Sequence, residues 1–373
     1  MAPRKLRSRY RLTARVAAAL CLALALLGLA PPPVPLSAAE EARFRTFLPV
    51  AANHRPPRLA FVRFEGSRLS HYAIGADGSG LSTLIGPDHP TSYDSFWSPD
   101  RRRLAMLERF TVGGTWYGSL WVMEVSSFAR RRLTGDTFSV SSVGWSPDSR
   151  SLVFVASEGD PLAEPVNLYT IGADGAGLAS LTDEPGFKCE PAWSPDGRSI
   201  AFLSVAPSGE SLQLIGADGQ GRRTLLGGPG AQLTGLSWSP DSRWLALRGS
   251  DSSAALALHR VSPDGTGHRL LARDVLLKPN SWSPDGRWLV AERIVGGGLT
   301  ELVAVGAEDG ALRVLIPASF ALSWSVVSAA WSPTGDVIAF SHPGPDGFVI
   351  SLVGADGRGL RELTLGEQPV WLP

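Results

Sequence analysis

Short apolar stretches separated by turn-forming residues follow one another along most of this chain. The stretch Trp193–Phe202 shows the pattern: an aromatic residue, then Ser-Pro-Asp-Gly, then an apolar run that begins at Ile200. Proline presets φ at the second position of a tight turn, aspartate caps the turn through its side chain, and glycine tolerates a positive φ. The pattern therefore predicts two short strands joined by a tight turn.

The same unit recurs through the chain, each time led by a tryptophan: Trp97, Trp145, Trp238, Trp282 and Trp331. With Trp193 in its place in the series, the intervals between successive tryptophans are 48, 48, 45, 44 and 49 residues. A period of about 40 to 50 residues that contains only short strands and turns is typical of a β-propeller blade.

Each full repeat contains four strand candidates, which we label A to D. Strand A ends at the tryptophan, strand B follows the first turn, strand C precedes a second Asp-Gly turn such as Gly216–Gly219, and strand D follows that turn. Near the N-terminus Leu59–Val62 is a B strand without a tryptophan unit before it, and Gln368–Pro373 resembles an A strand with its tryptophan. Pairing the two ends removes two open sheet edges. The sequence therefore predicts an all-β, seven-bladed β-propeller whose ring is closed by N-terminal B, C and D strands and a C-terminal A strand.

The first residues predict an export signal rather than part of the fold. Six basic residues precede an apolar run over Val16–Ala30, and Ser37–Ala39 offers small residues for signal-peptidase cleavage. We expect a signal peptide over residues 1–39, a linker over 40–57 and the propeller over 58–373. The protein is then exported to the periplasm, the cell surface or the medium. The alternative is an uncleaved leader that serves as a membrane anchor.

Composition excludes several function classes. Six of the 35 basic residues and none of the 35 acidic ones lie in the leader, which leaves 29 against 35 and a formal charge of −6. A negative chain lacks the basic surface that nucleic acids require, and we expect no membrane insertion of the mature chain. Cys189 is the one cysteine after the leader, so no intramolecular disulfide is expected. We further expect a monomer without a cofactor.

The tandem units with their WSPDG, GADG and LT segments resemble the propeller of TolB-type proteins and related repeats of bacterial exported proteins. The resemblance covers nearly all of the mature chain, but this repeat serves in many settings and does not by itself fix an activity. Similar propellers occur in the prolyl oligopeptidase group, where catalysis belongs to an appended hydrolase domain. No G-x-S-x-G segment is present in this sequence, so that enzyme class is not expected.

The A–B and C–D turns are short and nearly uniform, whereas the B–C and D–A connections vary, so we expect the function on the B–C/D–A face. Trp116 and Tyr117 fall in a predicted loop over Arg109–Ser119, and Trp324 falls in one over Pro317–Ser328. Aromatic side chains on such a face can stack on a sugar or a peptide. The alternative is that they cap the local core.

Residues that enter the A strands should surround the mouth of the propeller channel, namely Tyr93, Asp94, Lys188, Glu190, Lys278, Asn280 and Glu367. Lysine is notable here because the chain has only three, and two of them occupy this position. An ammonium group could anchor a carboxylate or a peptide carbonyl of a ligand. The alternative for Lys188 is a local ion pair with Glu184 or Glu190.

These features predict a binding or scaffolding module that recognises a peptide, a protein partner or a glycan without covalent chemistry, and no residue is predicted to be catalytic. The alternative is a polysaccharide-active lyase or hydrolase, with or without a metal, since some propeller lyases that act on acidic sugars hold a divalent metal through histidines. The histidines that could share one face for that purpose are His71, His89 and His342. A third possibility is a purely structural component of the cell envelope.

Overall fold

The computed structural model describes residues 56–65, 68–89, 94–112, 115–159, 166–207, 209–250, 256–296, 299–318 and 328–372. Within these ranges the regular structure is all β, and the strands form seven four-stranded sheets. The fold is therefore the predicted all-β, seven-bladed β-propeller, and we number its sheets as blades I to VII along the chain. A search of the same ranges for a helix long and apolar enough to cross a membrane finds none.

The chain divides into two compact units, and the first comprises Asp94–Trp238 and Val261–Thr266 among the described residues. Blade II consists of β4 (Ser95–Trp97), β5 (Arg103–Val112), β6 (Thr115–Glu124) and β7 (Arg130–Arg132). Blade III consists of β8 (Phe138–Trp145), β9 (Ser151–Glu158), β10 (Val166–Gly172) and β11 (Ala179–Ser180). Blade IV consists of β12 (Phe187–Trp193), β13 (Ser199–Ala206), β14 (Gly209–Gly216) and β15 (Arg223–Gly228). The unit also contains the first strand of blade V, β16 (Leu233–Trp238).

The second unit comprises the remaining described residues. Blade V continues with β17 (Leu245–Ser250), β18 (Leu256–Val261) and β19 (Arg269–Arg273). Blade VI consists of β20 (Val275–Trp282), β21 (Trp288–Gly296), β22 (Leu299–Gly306) and β23 (Leu312–Ile316). Blade VII consists of β24 (Ser328–Trp331), β25 (Val337–Gly344), β26 (Gly347–Gly354) and β27 (Arg361–Leu365). Blade I is built from both ends of the chain: β1 (Arg58–Glu65), β2 (Arg68–Gly75), β3 (Ser82–Ile85) and β28 (Glu367–Trp371).

Blade I confirms the predicted closure by the two chain ends. The sheet order is β28-β1-β2-β3, and Leu59 pairs with Trp371 and Ala60 with Val370 in an antiparallel register. Without β28 the strand β1 would present a row of unpaired backbone groups at a sheet edge. The C-terminal strand therefore completes the blade that the N-terminal strands begin.

The B strands carry apolar residues on both faces because each face packs in a different core. In β9, Leu152 and Phe154 belong to a core shared with blade II, whereas Val153 and Val155 belong to a core shared with blade IV. Side chains alternate across a strand, so a strand buried on both faces appears in the sequence as a continuous apolar run. This explains why the run after each turn lacks polar alternation.

The A–B turns repeat one set of hydrogen bonds. In blade III the Ser146 hydroxyl donates to the Asp148 carboxylate at 2.6 Å and accepts from the Ser151 N–H at 2.9 Å. The same carboxylate accepts from the Arg150 N–H at 3.0 Å. Blades II, IV, V and VI repeat the serine–aspartate bond at 2.6 Å. These turns therefore have a structural role, as their uniform sequences predict.

Blade VII achieves the same turn with a displaced carboxylate. Thr334 stands where the other units have aspartate, and Asp336, two residues later, accepts from the Ser332 hydroxyl at 2.8 Å. The Thr334 hydroxyl also donates to Asp336. The turn requires an acceptor in space rather than an aspartate at one fixed position in the sequence.

Candidate functional site

The hairpin between β5 and β6 corrects the expectation of a long loop over Arg109–Ser119. The two strands continue through this segment, with Phe110 opposite Tyr117 and Thr111 opposite Trp116. The loop prediction is wrong because aromatic and β-branched residues in cross-strand pairs stabilise an extended hairpin. Trp116 therefore lies on a strand, and its side chain is outside the described residues.

This hairpin is longer than its neighbours in the same unit. Strands β5 and β6 have 10 residues each, whereas the B strands of blades III and IV have 8. Two more residues extend a strand by about 7 Å. Near the tip the rings of Phe110 and Tyr117 stack with centroids 5.6 Å apart and planes inclined by 16°. Both side chains are half-buried, so the pair presents an aromatic surface on the B–C side of blade II.

Two contacts fix the base of the hairpin. The Arg109 guanidinium donates to the Asp94 carboxylate at 2.7 Å, and both side chains are only 21% exposed. On the other strand, a Cβ placed on Gly118 would lie 2.2 Å from the carbonyl oxygen of Val140 in blade III. The backbones thus meet where only glycine fits, and Asp94, one of the predicted A-strand residues, has an ion-pair role.

A charged strip continues from the aromatic pair along the same face of blade II. Glu108 precedes Phe110 by two residues, and its carboxylate lies 3.7 Å from the Arg130 guanidinium. Arg130 in turn covers the Trp121 ring at 4.7 Å from the ring centroid. The sequence analysis missed Glu108, Phe110 and Arg130. Strand alternation could have indicated the first two, since residues two apart share a face, but the place of Arg130 depends on β6–β7 pairing.

Lys188 does not present a free ammonium group. The side chain is buried, and its Nζ donates to the backbone carbonyl of Glu184 at 2.6 Å. The Glu184 carboxylate instead pairs with the Arg222 guanidinium. Lys188 is therefore held locally through the carbonyl oxygen of Glu184, one of the two residues considered as its partner.

Glu190 joins blade IV to the first strand of blade V. Its carboxylate accepts from the Thr234 hydroxyl at 2.8 Å and from the Leu236 N–H at 2.9 Å. The residue lies in a β-bulge with a φ of 51°, a conformation that non-glycine residues rarely adopt. The bulge thus turns the carboxylate toward β16.

A second carboxylate, absent from the predicted set, serves the same strand. Glu210, at the start of β14, accepts from the Leu233 N–H at 2.6 Å. Burial, and the nearby negative charge of Glu190, raise the pKa of Glu210, although the hydrogen bond from Leu233 opposes the shift. Two carboxylates, Glu190 and Glu210, therefore lie at the junction of blades IV and V.

For most of the other predicted ligand-binding residues, the whole residue or its side chain lies outside the described part of the chain. Tyr93 and Trp324 lie outside the described residues. Lys278 and Asn280 lie on β20, and their side chains are outside the described part of the chain. Glu367 is buried at the start of β28, opposite Val62 of β1.

The three histidines of the metal alternative have separate environments. His71 is buried in β2 with its pKa lowered by burial to about 4. His342 makes contacts through both ring nitrogens, 2.9 Å from the Ser351 hydroxyl and 3.1 Å from the Pro343 carbonyl oxygen. His89 lies in the turn after β3. Across the described ranges, no group of three or more His, Cys, Asp or Glu side chains is arranged to hold a metal ion.

The sequence matches the model of the TolB beta propeller domain over residues 56–333. The chain belongs to this TolB β-propeller family. The match begins just before β1 and extends to the turn after β24, so it covers the described residues of the first unit and the part of the second unit that precedes β25. A comparison with curated protein sequences found no match.

Solved structures resemble this TolB-family chain in fold at low sequence identity. An oligogalacturonate lyase in complex with manganese superposes with a TM-score of 0.64 at 16% identity, over 80% of this chain and 85% of the lyase. TolB from Acinetobacter baumannii gives 0.52 at 17% identity, over 85% and 67%. A prolyl endopeptidase gives 0.61 at 14% identity, over 95% of this chain and 54% of the peptidase. Similarity at this level shows the fold and leaves the activity to be argued from the site.

Proposed function

We propose that this TolB-family propeller is an exported recognition module that binds a peptide, a protein partner or a glycan on its B–C/D–A face without covalent chemistry. The observation that carries the proposal is the stacked Phe110–Tyr117 pair near the end of an extended hairpin. The leader over residues 1–39 supports export.

The hairpin supports recognition because it is preorganised. The Asp94–Arg109 ion pair and the close approach of Gly118 to Val140 hold it before any ligand arrives. A rigid aromatic surface loses little conformational entropy on binding, so more of the contact energy appears as affinity. The predicted A-strand residues whose side chains are described make internal contacts or are buried, which favours the hairpin over that set as the recognition surface.

The chemistry of the strip indicates the kind of ligand. Stacked aromatic rings offer a flat apolar face, while Glu108 and Arg130 beside them offer an acceptor and donors for hydrogen bonds. A pyranose ring or an extended peptide combines an apolar face with polar groups at its edge. Both ligand classes therefore fit this surface.

The test begins with a peptide array and a glycan array probed with the purified mature protein. The affinity of the strongest peptide or glycan is then measured by fluorescence anisotropy for the wild type and for a Phe110→Ala, Tyr117→Ala double variant. We expect at least a tenfold loss of affinity in the double variant. Leu178→Ala is the matched control, because Leu178 is 48% exposed but lies on the C–D turn side of blade III.

Equal loss in the double variant and the control, or no loss in either, would refute the hairpin as the recognition surface. In a separate measurement, a Trp116→Ala, Trp324→Ala double variant tests the two tryptophans that the sequence pattern placed in loops. Because Trp116 is opposite Thr111 in the same hairpin, we expect its replacement to weaken binding as well.

A lyase or hydrolase acting on a polysaccharide is the second candidate, and the Glu190–Glu210 pair is the observation that favours it. A carboxyl group with a raised pKa, such as that of Glu210, can serve as a general acid beside a second carboxylate. The test is turnover of acidic oligosaccharides, followed by the ultraviolet absorbance of unsaturated products. Turnover that is lost in Glu210→Gln but retained in Glu158→Gln would favour catalysis. Equal turnover in the wild type and Glu210→Gln would exclude this pair.

A further inference from the structure

Two histidines meet at the outer side of blade V, His259 on β18 and His268 just before β19. The Nδ1 atom of His259 and the Nε2 atom of His268 are 3.2 Å apart. The two rings are nearly parallel, with centroids 5.2 Å apart and planes inclined by 27°.

We propose that His259 and His268 form a binding site for one divalent transition-metal ion of the copper, nickel or zinc class. Metal–imidazole bonds of 2.0–2.1 Å place two ligand nitrogens about 2.9 Å apart at a right angle and about 3.4 Å apart at the tetrahedral angle. The observed separation lies between these limits, so the two nitrogens are spaced to bind one ion.

One histidine of the pair is accessible to solvent, so a metal ion can reach the site from that side. His268 is exposed, whereas His259 is half-buried against its sheet. Burial and the neighbouring His268 lower the pKa of His259, which keeps its imidazole neutral and its lone pair available down to a lower pH. Water can complete the coordination on the exposed side, because two protein ligands leave at least two positions open.

The adjacent arginines do not occupy the site. Arg260 follows His259 and therefore points to the opposite face of β18. Its guanidinium covers the Trp244 ring at 4.0 Å from the ring centroid and donates to the Ala307 carbonyl of blade VI at 2.6 Å. Arg269 likewise donates to the Glu308 carbonyl at 2.7 Å. Both cations are thus held against blade VI.

In the absence of metal the same two nitrogens can share one hydrogen bond. One nitrogen then carries the proton and the other accepts it. Metal binding needs the lone pairs of both nitrogens. The proton on the donor ring therefore moves to the other nitrogen of that ring, and each imidazole remains uncharged. Protons compete with the metal for these lone pairs, and we expect affinity to fall as pH drops from 7.5 to 5.

The choice of metal follows from the ligands. Imidazole nitrogen binds copper, nickel and zinc well, whereas magnesium and calcium prefer oxygen. The expected order of affinity is Cu²⁺ ahead of Ni²⁺ and Zn²⁺, with no binding of Mg²⁺. A bound ion would link β18 to the segment that enters the outermost strand β19, so it should also raise the thermal stability of the protein.

The experiment uses the full mature protein without an affinity tag, after dialysis against a chelator. Isothermal titration with Zn²⁺, Ni²⁺ and Mg²⁺ gives stoichiometry and affinity, and electron paramagnetic resonance of the Cu²⁺ complex reports its nitrogen ligands. We expect one ion per chain, two histidine nitrogens on Cu²⁺, and at least a tenfold lower affinity in both His259→Gln and His268→Gln. His89→Gln is the matched control and should bind as the wild type does.

Three outcomes of these titrations would overturn the proposal. Wild-type affinity in a His259→Gln, His268→Gln double variant, or the absence of stoichiometric binding by the wild type, would overturn the proposal. An equal reduction in His89→Gln would also overturn it, because binding would then be distributed over surface histidines. Circular dichroism verifies folding of each variant, and the exposed position of His268 makes its substitution compatible with the fold.

Discussion

The indole N–H of Trp331 donates to the backbone carbonyl of Ser281 at 2.9 Å and thereby joins blade VII to blade VI. Ser281 immediately precedes Trp282, the tryptophan of the previous repeat. Three other repeat tryptophans donate in the same way. In each case the acceptor is the carbonyl of the residue that immediately precedes the tryptophan of the previous repeat: Trp145 donates to Phe96, Trp238 to Ala192 and Trp371 to Ala330. The tryptophan of each of these repeats therefore stabilises a junction between blades.

Trp331→Phe should destabilise the protein by about 1–2 kcal/mol more than Trp193→Phe does. Both variants lose apolar area, but only Trp331→Phe leaves a buried carbonyl without its donor. The indole N–H of Trp193 has no acceptor among the described residues, which makes it the matched control. Urea unfolding of the two variants measures the difference. Equal losses would contradict a stabilising role for this hydrogen bond.

Ser146→Ala should lower the free energy of unfolding at neutral pH by about 1 kcal/mol, because the turn loses a charge-assisted hydrogen bond. The hydrogen bond from Ser146 is the main cause that lowers the pKa of Asp148 below the ordinary aspartate value of 3.8. A lowered carboxyl pKa contributes stability that is present above this value and is lost as pH falls through the folded-state pKa. The difference between wild type and variant should therefore shrink below pH 3.8. A constant difference between pH 7 and pH 2 would contradict this mechanism.

His71→Leu should stabilise the protein in acid. The residue is buried in blade I, and each other blade has a buried Leu or Ile at the corresponding position: Leu120, Leu168, Leu212, Leu258, Leu302 and Ile350. Burial lowers the pKa of His71 from 6.5 to about 4. The unfolded chain then takes up the proton first, so stability falls as pH drops from 6.5 toward 4, by roughly 3 kcal/mol in total.

Urea unfolding of the wild type and His71→Leu at pH 7 and pH 4 measures this contribution. The variant should lack the His71 part of the pH dependence, so its advantage should grow on acidification. Other acid-sensitive groups act equally in both proteins and cancel in the comparison. An advantage that is independent of pH would show that packing alone, and not protonation, distinguishes the two side chains.

Gly118→Ala should displace the blade II hairpin and weaken ligand binding there. The added methyl group would lie 2.2 Å from the Val140 carbonyl oxygen, and we expect a destabilisation of about 1–3 kcal/mol. Gly135→Ala is the control in the same unit, because its added methyl group would meet nothing closer than 4.0 Å. Thermal unfolding measures stability, and anisotropy with the selected peptide or glycan measures binding. Unaltered affinity in Gly118→Ala would show that hairpin position does not govern recognition.

The sequence was sufficient for the repeat and for the number of blades. The tryptophan, the turn and the apolar run lie close together in the chain. Their recurrence at a regular interval therefore marks each blade without any knowledge of how neighbouring blades pack. The C-terminal strand could also be assigned to blade I, because Trp371 repeats the anchor and Leu59 begins a strand that needs an edge partner. These conclusions depend only on residues that are close to one another within each segment of the sequence.

Tertiary structure decided what the side chains on those strands do. Lys188 was a candidate ligand anchor from its rarity and position, but the fold buries it and directs it to the Glu184 carbonyl. The length of the blade II hairpin depends on cross-strand pairing, and the His259–His268 pair on a bulged register between β18 and β19. Contacts between strands depend on register and burial, and the pattern of residues along the sequence does not contain this information. The sequence therefore determined the blades, and the tertiary structure determined which side chains form each surface.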